Sequence, residues 1–194
     1  MSDRRTGEEE FQFGGSASGF DLLGFWAWST SDLLSNATRG VLAEYIVGQA
    51  LGAISGDDVR VEWDAYDLRT PSGVRVEVKS SAFVQCWAQK ALSRPVFSIR
   101  SARGWDAETG TTAADPTRSA DVYVFALLVH EDQATIDPMD LGQWEFYVVG
   151  KEQLAARYGV QRTLSLGPLR SFADPVSFNG LRAAVAGAAV RPEE

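Results

Sequence analysis

Apolar and polar positions alternate most clearly in segment 74–81, which reads Val-Arg-Val-Glu-Val-Lys-Ser-Ser. Side chains two residues apart leave the same face of a β-strand. This segment therefore predicts a strand with its valines on one face and with Glu77 and Lys79 on the other. Segment 59–68 also alternates, and the turn-forming residues at 69–73 separate the two segments. Together they predict a β-hairpin.

The length of the turn decides which side chains of the hairpin face each other. A three-residue loop that ends in Gly73 at positive φ places Asp67 opposite Glu77 and on the same face as Lys79. A two-residue loop shifts the register by one residue and brings Asp64 opposite Lys79 instead. Asp67 is therefore the first candidate carboxylate, and Asp64 is the alternative.

Segment 37–51 is apolar nearly all round a helical wheel and predicts a buried helix. Asn36 is the expected N-cap, and Gly52 marks the end of the helix. Glu44 lies in the middle of this segment. A buried carboxylate is costly unless it meets a cation, a metal or hydrogen-bond donors, so Glu44 is a candidate site residue. The alternative is a structural ion pair with Arg39 or another arginine.

The rest of the chain predicts short strands and helices within one domain. The first 19 residues are polar and rich in glycine and serine, and they predict a flexible N-terminal tail. Residues 20–194 predict a single domain of ordinary size. Strands are expected at 96–99, 120–129 and 144–149, and helices at 151–158 and within 172–189.

Composition narrows the chemistry that this domain can perform. The chain is 45% hydrophobic and 23% charged, as in a globular protein, and no apolar run approaches the ~18 residues of a membrane span. The charged start lacks a secretory signal, and a single cysteine, Cys86, fits a reducing cytoplasm. With one histidine and one cysteine, a structural zinc site is excluded. Any metal would be held by oxygen, which points to Mg²⁺ or Mn²⁺.

The net charge of −8 does not favour a free-standing nucleic-acid binder, because the favourable contacts with phosphates are made by lysine and arginine. A local basic surface, a homo-oligomer or a partner subunit would have to supply such contacts. Of the 18 basic residues only three are lysines, and one of the three is Lys79.

The helical Glu44, the hairpin acid Asp67 and the Glu77-Val78-Lys79 string occur in an order that resembles the PD-(D/E)xK superfamily, the restriction-endonuclease-like nucleases. The resemblance covers 36–81, with 120–129 as the next core strand, and no proline precedes the hairpin acid. The string 77–87 is also similar to a bacterial group of uncharacterised proteins with this predicted fold. The resemblance implies an α/β domain with a mixed central β-sheet flanked by helices.

The resemblance also implies a role for each candidate residue. Asp67 and Glu77 would bind Mg²⁺ or Mn²⁺ through carboxylate oxygens, and the backbone carbonyl of Val78 would be a third ligand. Lys79 would orient or help to deprotonate the attacking water and stabilise charge in the transition state. Glu44 would hold a water of the metal shell or a second metal ion.

Two further residues are candidates for substrate binding. Gln85 follows the lysine at a spacing seen in some nucleases of this type, and Trp87 offers a ring on which a base can stack. The alternative for both is an ordinary position on the edge of a strand or helix. The sequence thus predicts a cytoplasmic, metal-dependent nuclease that hydrolyses phosphodiester bonds, with DNA as the expected nucleic acid. The alternative is a catalytically inactive nuclease-like module for binding or assembly, or a subunit of a larger nucleic-acid-processing complex.

Overall fold

The computed structural model describes residues 3–61, 65–101, 105–106, 111–112 and 117–189. The N-terminal half contains strands β1 (Glu10–Phe13) and β2 (Ser16–Asp21), helices α1 (Leu22–Thr30) and α2 (Asn36–Leu51), and strands β3 (Leu68–Arg69), β4 (Arg75–Ala82) and β5 (Val96–Ser98). The C-terminal half contains strands β6 (Trp105–Asp106), β7 (Thr111–Thr112), β8 (Val122–Leu128) and β9 (Trp144–Gly150), helix α3 (Lys151–Tyr158), strand β10 (Thr163–Ser165), helix α4 (Leu166–Arg170), strand β11 (Pro175–Val176) and helix α5 (Leu181–Ala189).

A five-stranded sheet with the order β11-β9-β8-β4-β3 forms the centre of the fold. Strands β4 and β8 pair in parallel, and the other neighbours pair antiparallel, so the sheet is mixed. Every side chain of β8 is buried, because this central strand is covered on both faces. The predicted α/β class with a mixed central sheet and flanking helices is confirmed.

Each face of the sheet packs against its own hydrophobic core. Helices α2 and α5 cover one face, where Val47 and Leu181 meet Val76 of β4. The other face packs against β5, β10, α3 and α4, with Phe97 and Leu164 fully buried among them. No helix in the described part of the chain is both long and apolar enough to cross a membrane.

The β3–β4 hairpin forms one edge of the central sheet and has the predicted register. Leu68 pairs with Val76 and Arg69 with Arg75, and Gly73 in the turn has a φ of 88°. Only a residue without a Cβ adopts this φ readily, which is why the loop closes at that position. Strand β3 is much shorter than predicted, because residues 59–61 are not part of a strand and residues 62–64 lie outside the described residues.

Helix α2 begins one residue earlier than predicted. Ser35 precedes it as N-cap without a side-chain hydrogen bond, and Asn36 is its first residue. The Asn36 side chain instead accepts a hydrogen bond of 2.6 Å from Arg39. Gly52 ends the helix as expected, in the left-handed conformation.

The prediction that α2 is buried on every side is wrong. Val41 and Tyr45 are 43% and 52% exposed, whereas Ala43, Ile46 and Val47 face the core. The apolar residues on the outer face of α2 line a cleft, and a helical wheel alone cannot distinguish a cleft from a core.

Part of the segment predicted as a flexible tail forms a β-hairpin. Strands β1 and β2 pair antiparallel around Gly14 and Gly15, and they leave most of their side chains exposed. The glycines have φ of 60° and 82°, which suits a tight two-residue turn. The domain boundary at residue 19 stays a prediction.

Candidate active site

The site lies at the β3–β4 edge, where the alternation along β4 sends alternate side chains to opposite faces. Val76 and Val78 are buried in the core beneath α2. Glu77 and Lys79 leave the other face and are half-buried. Asp67 lies just beyond the last pair of the hairpin, Leu68–Val76, and does not form the predicted pair with Glu77.

Asp67 is fixed to β4 through both its backbone and its side chain. Its amide donates to the Val76 carbonyl at 3.1 Å, and its Oδ2 accepts a hydrogen bond of 2.7 Å from the Val78 amide. These two bonds hold the carboxylate against β4 beyond the last pair of the hairpin. The position of Asp67 therefore follows from backbone geometry and not from a flexible side chain alone.

The pKa of Asp67 is raised to about 7. Burial is the main cause, and the negative charges of Glu77 and Glu44 raise this pKa further. The charge of Lys79 and the hydrogen bond from Val78 act in the opposite direction but do not compensate. Near neutral pH the Asp67 carboxyl is therefore easily protonated, and a bound cation would favour its charged form.

Glu77 and Lys79 form an ion pair between Oε1 and Nζ. Burial acts to lower the pKa of Lys79, but the charges of Glu77, Asp67 and Glu44 outweigh it, and the pKa is raised. Lys79 therefore stays an ammonium at neutral pH. A positive charge is fixed beside two carboxylates.

Glu44 reaches the site from α2 and is held by Arg60. Arg60 donates from Nε to Oε2 at 2.5 Å and from a terminal nitrogen to Oε1 at 3.0 Å. The predicted alternative, a pair with an arginine, is thus present, although Arg39 is not the partner. Arg39 instead bonds Ser80 at 3.1 Å. Glu44 still acts electrostatically on Asp67.

The other sequence candidates lie in the segment after β4 or outside the described residues. Asp64 falls within residues 62–64 and is not described. Gln85 is buried, and its side-chain amide donates to the Ala82 carbonyl at 3.0 Å, so it stabilises the turn after β4. Trp87 is 51% exposed. Substrate binding by Gln85 and Trp87 stays a prediction.

A cleft of about 600 Å³ opens beside Asp67 and Glu44. The exposed face of α2 forms one wall with Val41 and Tyr45. Three arginines, drawn from separate segments, also line it: Arg4, Arg60 and Arg69. Three acids, Glu44, Asp58 and Asp67, line the same cleft. Sequence reasoning missed this grouping of arginines because only the fold brings the three together.

Tyr123 is a second feature that sequence reasoning missed. The parallel register pairs it with Glu77, and it is 5% exposed. Burial raises the pKa of its phenol, and the charge of Glu77 adds to the effect. Tyr123 therefore presents a neutral phenol on the face that carries the acidic cluster.

The described residues contain no group of three or more His, Cys, Asp or Glu side chains that could hold a metal ion. The three acids are not equivalent: Glu77 pairs with Lys79 and Glu44 with Arg60. Asp67 forms no ion pair within the described part of the chain. A metal at this site would depend on fewer protein side chains than a closed cage provides.

Fold and site together define a mixed α/β protein with an acid–lysine cluster beside an arginine-lined cleft. Residues 27–166 match the family described as Bacteriophage T4 endonuclease IV. Since the match spans well over half of the chain, the protein belongs to this family, which supports a nuclease. A search of curated proteins found no match. The family match begins at Ala27, so β1, β2 and most of α1 precede it.

Proposed function

We propose that this protein is a metal-dependent endonuclease that hydrolyses phosphodiester bonds in DNA, with a PD-(D/E)xK site on a restriction-endonuclease-like fold. The observation that carries the proposal is the register of the β3–β4 hairpin. It pairs Leu68 with Val76, so that the preceding residue, Asp67, accepts from the Val78 amide. Val78 lies between the ion-paired residues Glu77 and Lys79 of β4. Membership in an endonuclease family supports the reaction class.

Asp67 and Glu77 are the side chains that would hold Mg²⁺ or Mn²⁺. Their contacts use Oδ2 of Asp67 and Oε1 of Glu77, so each carboxylate keeps an oxygen with no hydrogen bond in the described residues. The Val78 amide and the Val76 carbonyl both face Asp67. Since the backbone groups of one strand residue point to the same neighbour, the Val78 carbonyl faces Asp67 as well.

This donor set suits magnesium chemistry. Mg²⁺ is usually held by one or two carboxylates, several waters and substrate phosphate oxygens rather than by a complete protein cage. The absence of a three-carboxylate group in the described residues is compatible with that mode. When bound, the ion would lower the pKa of a water and offset the charge of the phosphate. The raised pKa of Asp67 supports the fit, because burial and two neighbouring carboxylates oppose its charge and a bound cation would favour it.

Lys79 would act as a fixed positive charge. Its raised pKa favours an ammonium that orients the attacking water and stabilises charge on the phosphate, not a base that accepts the proton. A lysine suits this role because its compact charge can approach a reacting atom closely.

Glu44 and Arg60 would support the site from α2 and the following loop. Glu44 adds negative charge near Asp67, and Arg60 fixes its carboxylate with two hydrogen bonds. The same arginine lines the cleft with Arg4 and Arg69, where the three would contact DNA phosphates. The acids Glu44, Asp58 and Asp67 line the same cleft, so phosphate binding there by a chain with a net charge of −8 would also need the positive charge of a metal ion.

The experiment is a cleavage assay with purified protein, Mg²⁺ or Mn²⁺, and single-stranded, duplex and branched DNA. The wild type should cleave DNA, and Lys79→Ala should abolish cleavage while its circular dichroism spectrum is unchanged. The matched control is Lys90→Ala, which removes an exposed lysine outside the cluster and should retain activity. If wild type and Lys79→Ala are equally inert on every substrate with either metal, the enzymatic proposal fails.

The second candidate is a catalytically inactive module that uses the nuclease-like fold for binding or assembly. The two ion pairs, Glu77–Lys79 and Glu44–Arg60, favour it, because they satisfy two of the three acids without a metal. Calorimetry with Mn²⁺ distinguishes the two. Heat of binding that is lost in Glu77→Ala supports the enzyme, and no binding by the wild type supports the module.

A further inference from the structure

The N-terminal hairpin and α1 expose an unusual number of large apolar side chains. We call this set the N-terminal apolar surface. Its members, with their exposed fractions, are Phe11 (42%), Phe13 (88%), Phe20 (60%), Leu23 (58%), Phe25 (47%) and Trp28 (84%). No residue of α1 is buried.

The exposed area of these six side chains is roughly 600–900 Å², if a large side chain contributes about 150–250 Å² when fully exposed. The largest apolar patch on an ordinary monomer is about 300–600 Å². A stable interface buries about 800 Å² on each partner. The summed exposed area of these side chains is therefore comparable with the area that one half of a dimer interface buries.

The hairpin also needs a partner for its own stability. Strands β1 and β2 form a separate two-stranded sheet, and such a hairpin is marginally stable in water when nothing covers it. The rings of Phe11 and Phe20 stack at 4.9 Å on its surface, and Phe25 and Trp28 lie 6.5 Å apart on α1. These ring pairs form a firm surface against which a second surface can pack.

The small number of charged side chains on the N-terminal apolar surface indicates which partner it binds. Segment 11–31 contains a single charged residue, Asp21, whose carboxylate caps α1 by accepting from the Gly24 amide at 2.8 Å. The segment has no lysine or arginine, so it has no positive charge with which to bind DNA phosphates or anionic lipid. An uncharged apolar surface is complementary to a copy of itself, as a two-fold interface requires. Of the net charge of −8, the hairpin and α1 carry only the charges of Asp21 and of Glu10, which pairs with Asp21 at the end of the hairpin.

We propose that the N-terminal apolar surface is a homodimer interface, with a second copy of this chain as its occupant. It lies mostly before the family match, so the interface belongs to a segment that this chain carries in addition to the matched region. The proposal stands independently of the proposed nuclease activity.

Sedimentation equilibrium of the full chain tests the proposal. At about 10 µM the wild type should have twice the 21.1 kDa mass of one chain, because interfaces of this size bind with µM or tighter affinity. The double variant Phe13→Glu/Trp28→Glu should be monomeric with at least a tenfold weaker association. The matched control is Val160→Glu, which places a charge at a 98% exposed valine outside this surface and should stay dimeric.

A monomeric wild type at this concentration overturns the proposal, and so does a double variant that dimerises as the wild type does. A monomeric wild type that sediments with neutral phosphatidylcholine vesicles would assign the surface to a membrane instead. Far-ultraviolet circular dichroism of the double variant verifies that helix and strand content is retained. Cross-linking between the N-terminal segments of two wild-type chains provides a second readout if the double variant does not fold.

Discussion

Replacement of Asp67 by asparagine should make the protein more stable at pH 8 in the absence of divalent cations. Folding raises the pKa of this carboxyl from 3.8 to about 7, so the folded protein binds the proton more tightly than the unfolded chain does. Stability of the wild type therefore falls as the pH rises through these two values and becomes constant only about one unit above the higher of them. Asparagine carries no charge and still offers an oxygen to the Val78 amide.

The magnitude follows from the size of the shift. Each unit of pKa corresponds to 1.36 kcal/mol, so the full difference between 3.8 and about 7 amounts to roughly 4 kcal/mol. Between pH 5 and pH 7 the wild type should lose roughly 2 kcal/mol relative to Asp67→Asn, because about half of the carboxyl is still protonated at pH 7. A cation that binds the charged carboxylate should restore part of this stability to the wild type only.

Urea denaturation of both proteins at pH 5, 6, 7 and 8 in EDTA measures the effect, and a parallel series with Mn²⁺ tests the restoration. The control is Asp121→Asn, because the hydrogen bond from Arg75 lowers the pKa of Asp121. That variant should be less stable than the wild type by a constant amount from pH 5 to pH 8. If Asp67→Asn also differs from the wild type by a constant amount over this range, burial of the Asp67 charge is not costly and the reasoning is refuted.

Three other predictions concern the elements around the site. Lys79→Met should raise the pKa of the hairpin aspartate further, because the ammonium lowers it; the loss of stability with pH should then continue above pH 7. Glu44→Gln should change the unfolding free energy by less than about 1 kcal/mol, since the ion pair of Glu44 with Arg60 is partly exposed. The same variant should lower nuclease activity about a hundredfold. Denaturation and cleavage assays on the same preparation measure the two effects. Gly48→Ala should destabilise the protein by roughly 1–3 kcal/mol, because a Cβ at this position would lie 2.3 Å from Ile54. A Cβ at Gly40 would meet nothing within 4 Å, so Gly40→Ala should stabilise α2 by up to about 1 kcal/mol. Thermal denaturation of the two variants measures the difference.

The hairpin could be predicted because two local rules agree on it. The period of two along β4 fixes which side chains share a face, and a wrong register would expose Val76 and Val78. Gly73 at positive φ fixes the length of the loop. Together these rules predict the observed pairing of Leu68 with Val76, which places Asp67 next to the end of this pairing without knowledge of the remaining fold.

The partner of Glu44 could not be predicted in the same way. Arg60 follows α2 in a segment without regular structure, and its contact depends on the path of residues 53–61 around Gly48. The exposure of the outer face of α2 could not be predicted from the sequence for a similar reason. Val41 and Tyr45 are as apolar as core residues, and only tertiary structure determines that a cleft lies over them.

The N-terminal hairpin did have a local signal, although composition obscured it. Phe11 and Phe13 alternate with polar residues immediately before Gly14-Gly15, and two glycines between alternating segments are typical of a tight hairpin turn. The high content of glycine and serine in this segment favours a flexible tail if only composition is considered and the positions of these residues are ignored. Position along the chain therefore carried more information here than composition.

The charges at the β3–β4 edge connect the structure to the chemistry that we propose. Three acids and two cations meet there, and the acid that lacks a cation in the described residues is Asp67. Its pKa rises because burial and two neighbouring carboxylates oppose its charge. Without a further positive charge the cluster is negative and would repel a DNA phosphate. A divalent ion would neutralise the excess negative charge of the cluster and attract the phosphate. Binding of metal and binding of DNA should therefore favour each other at this site.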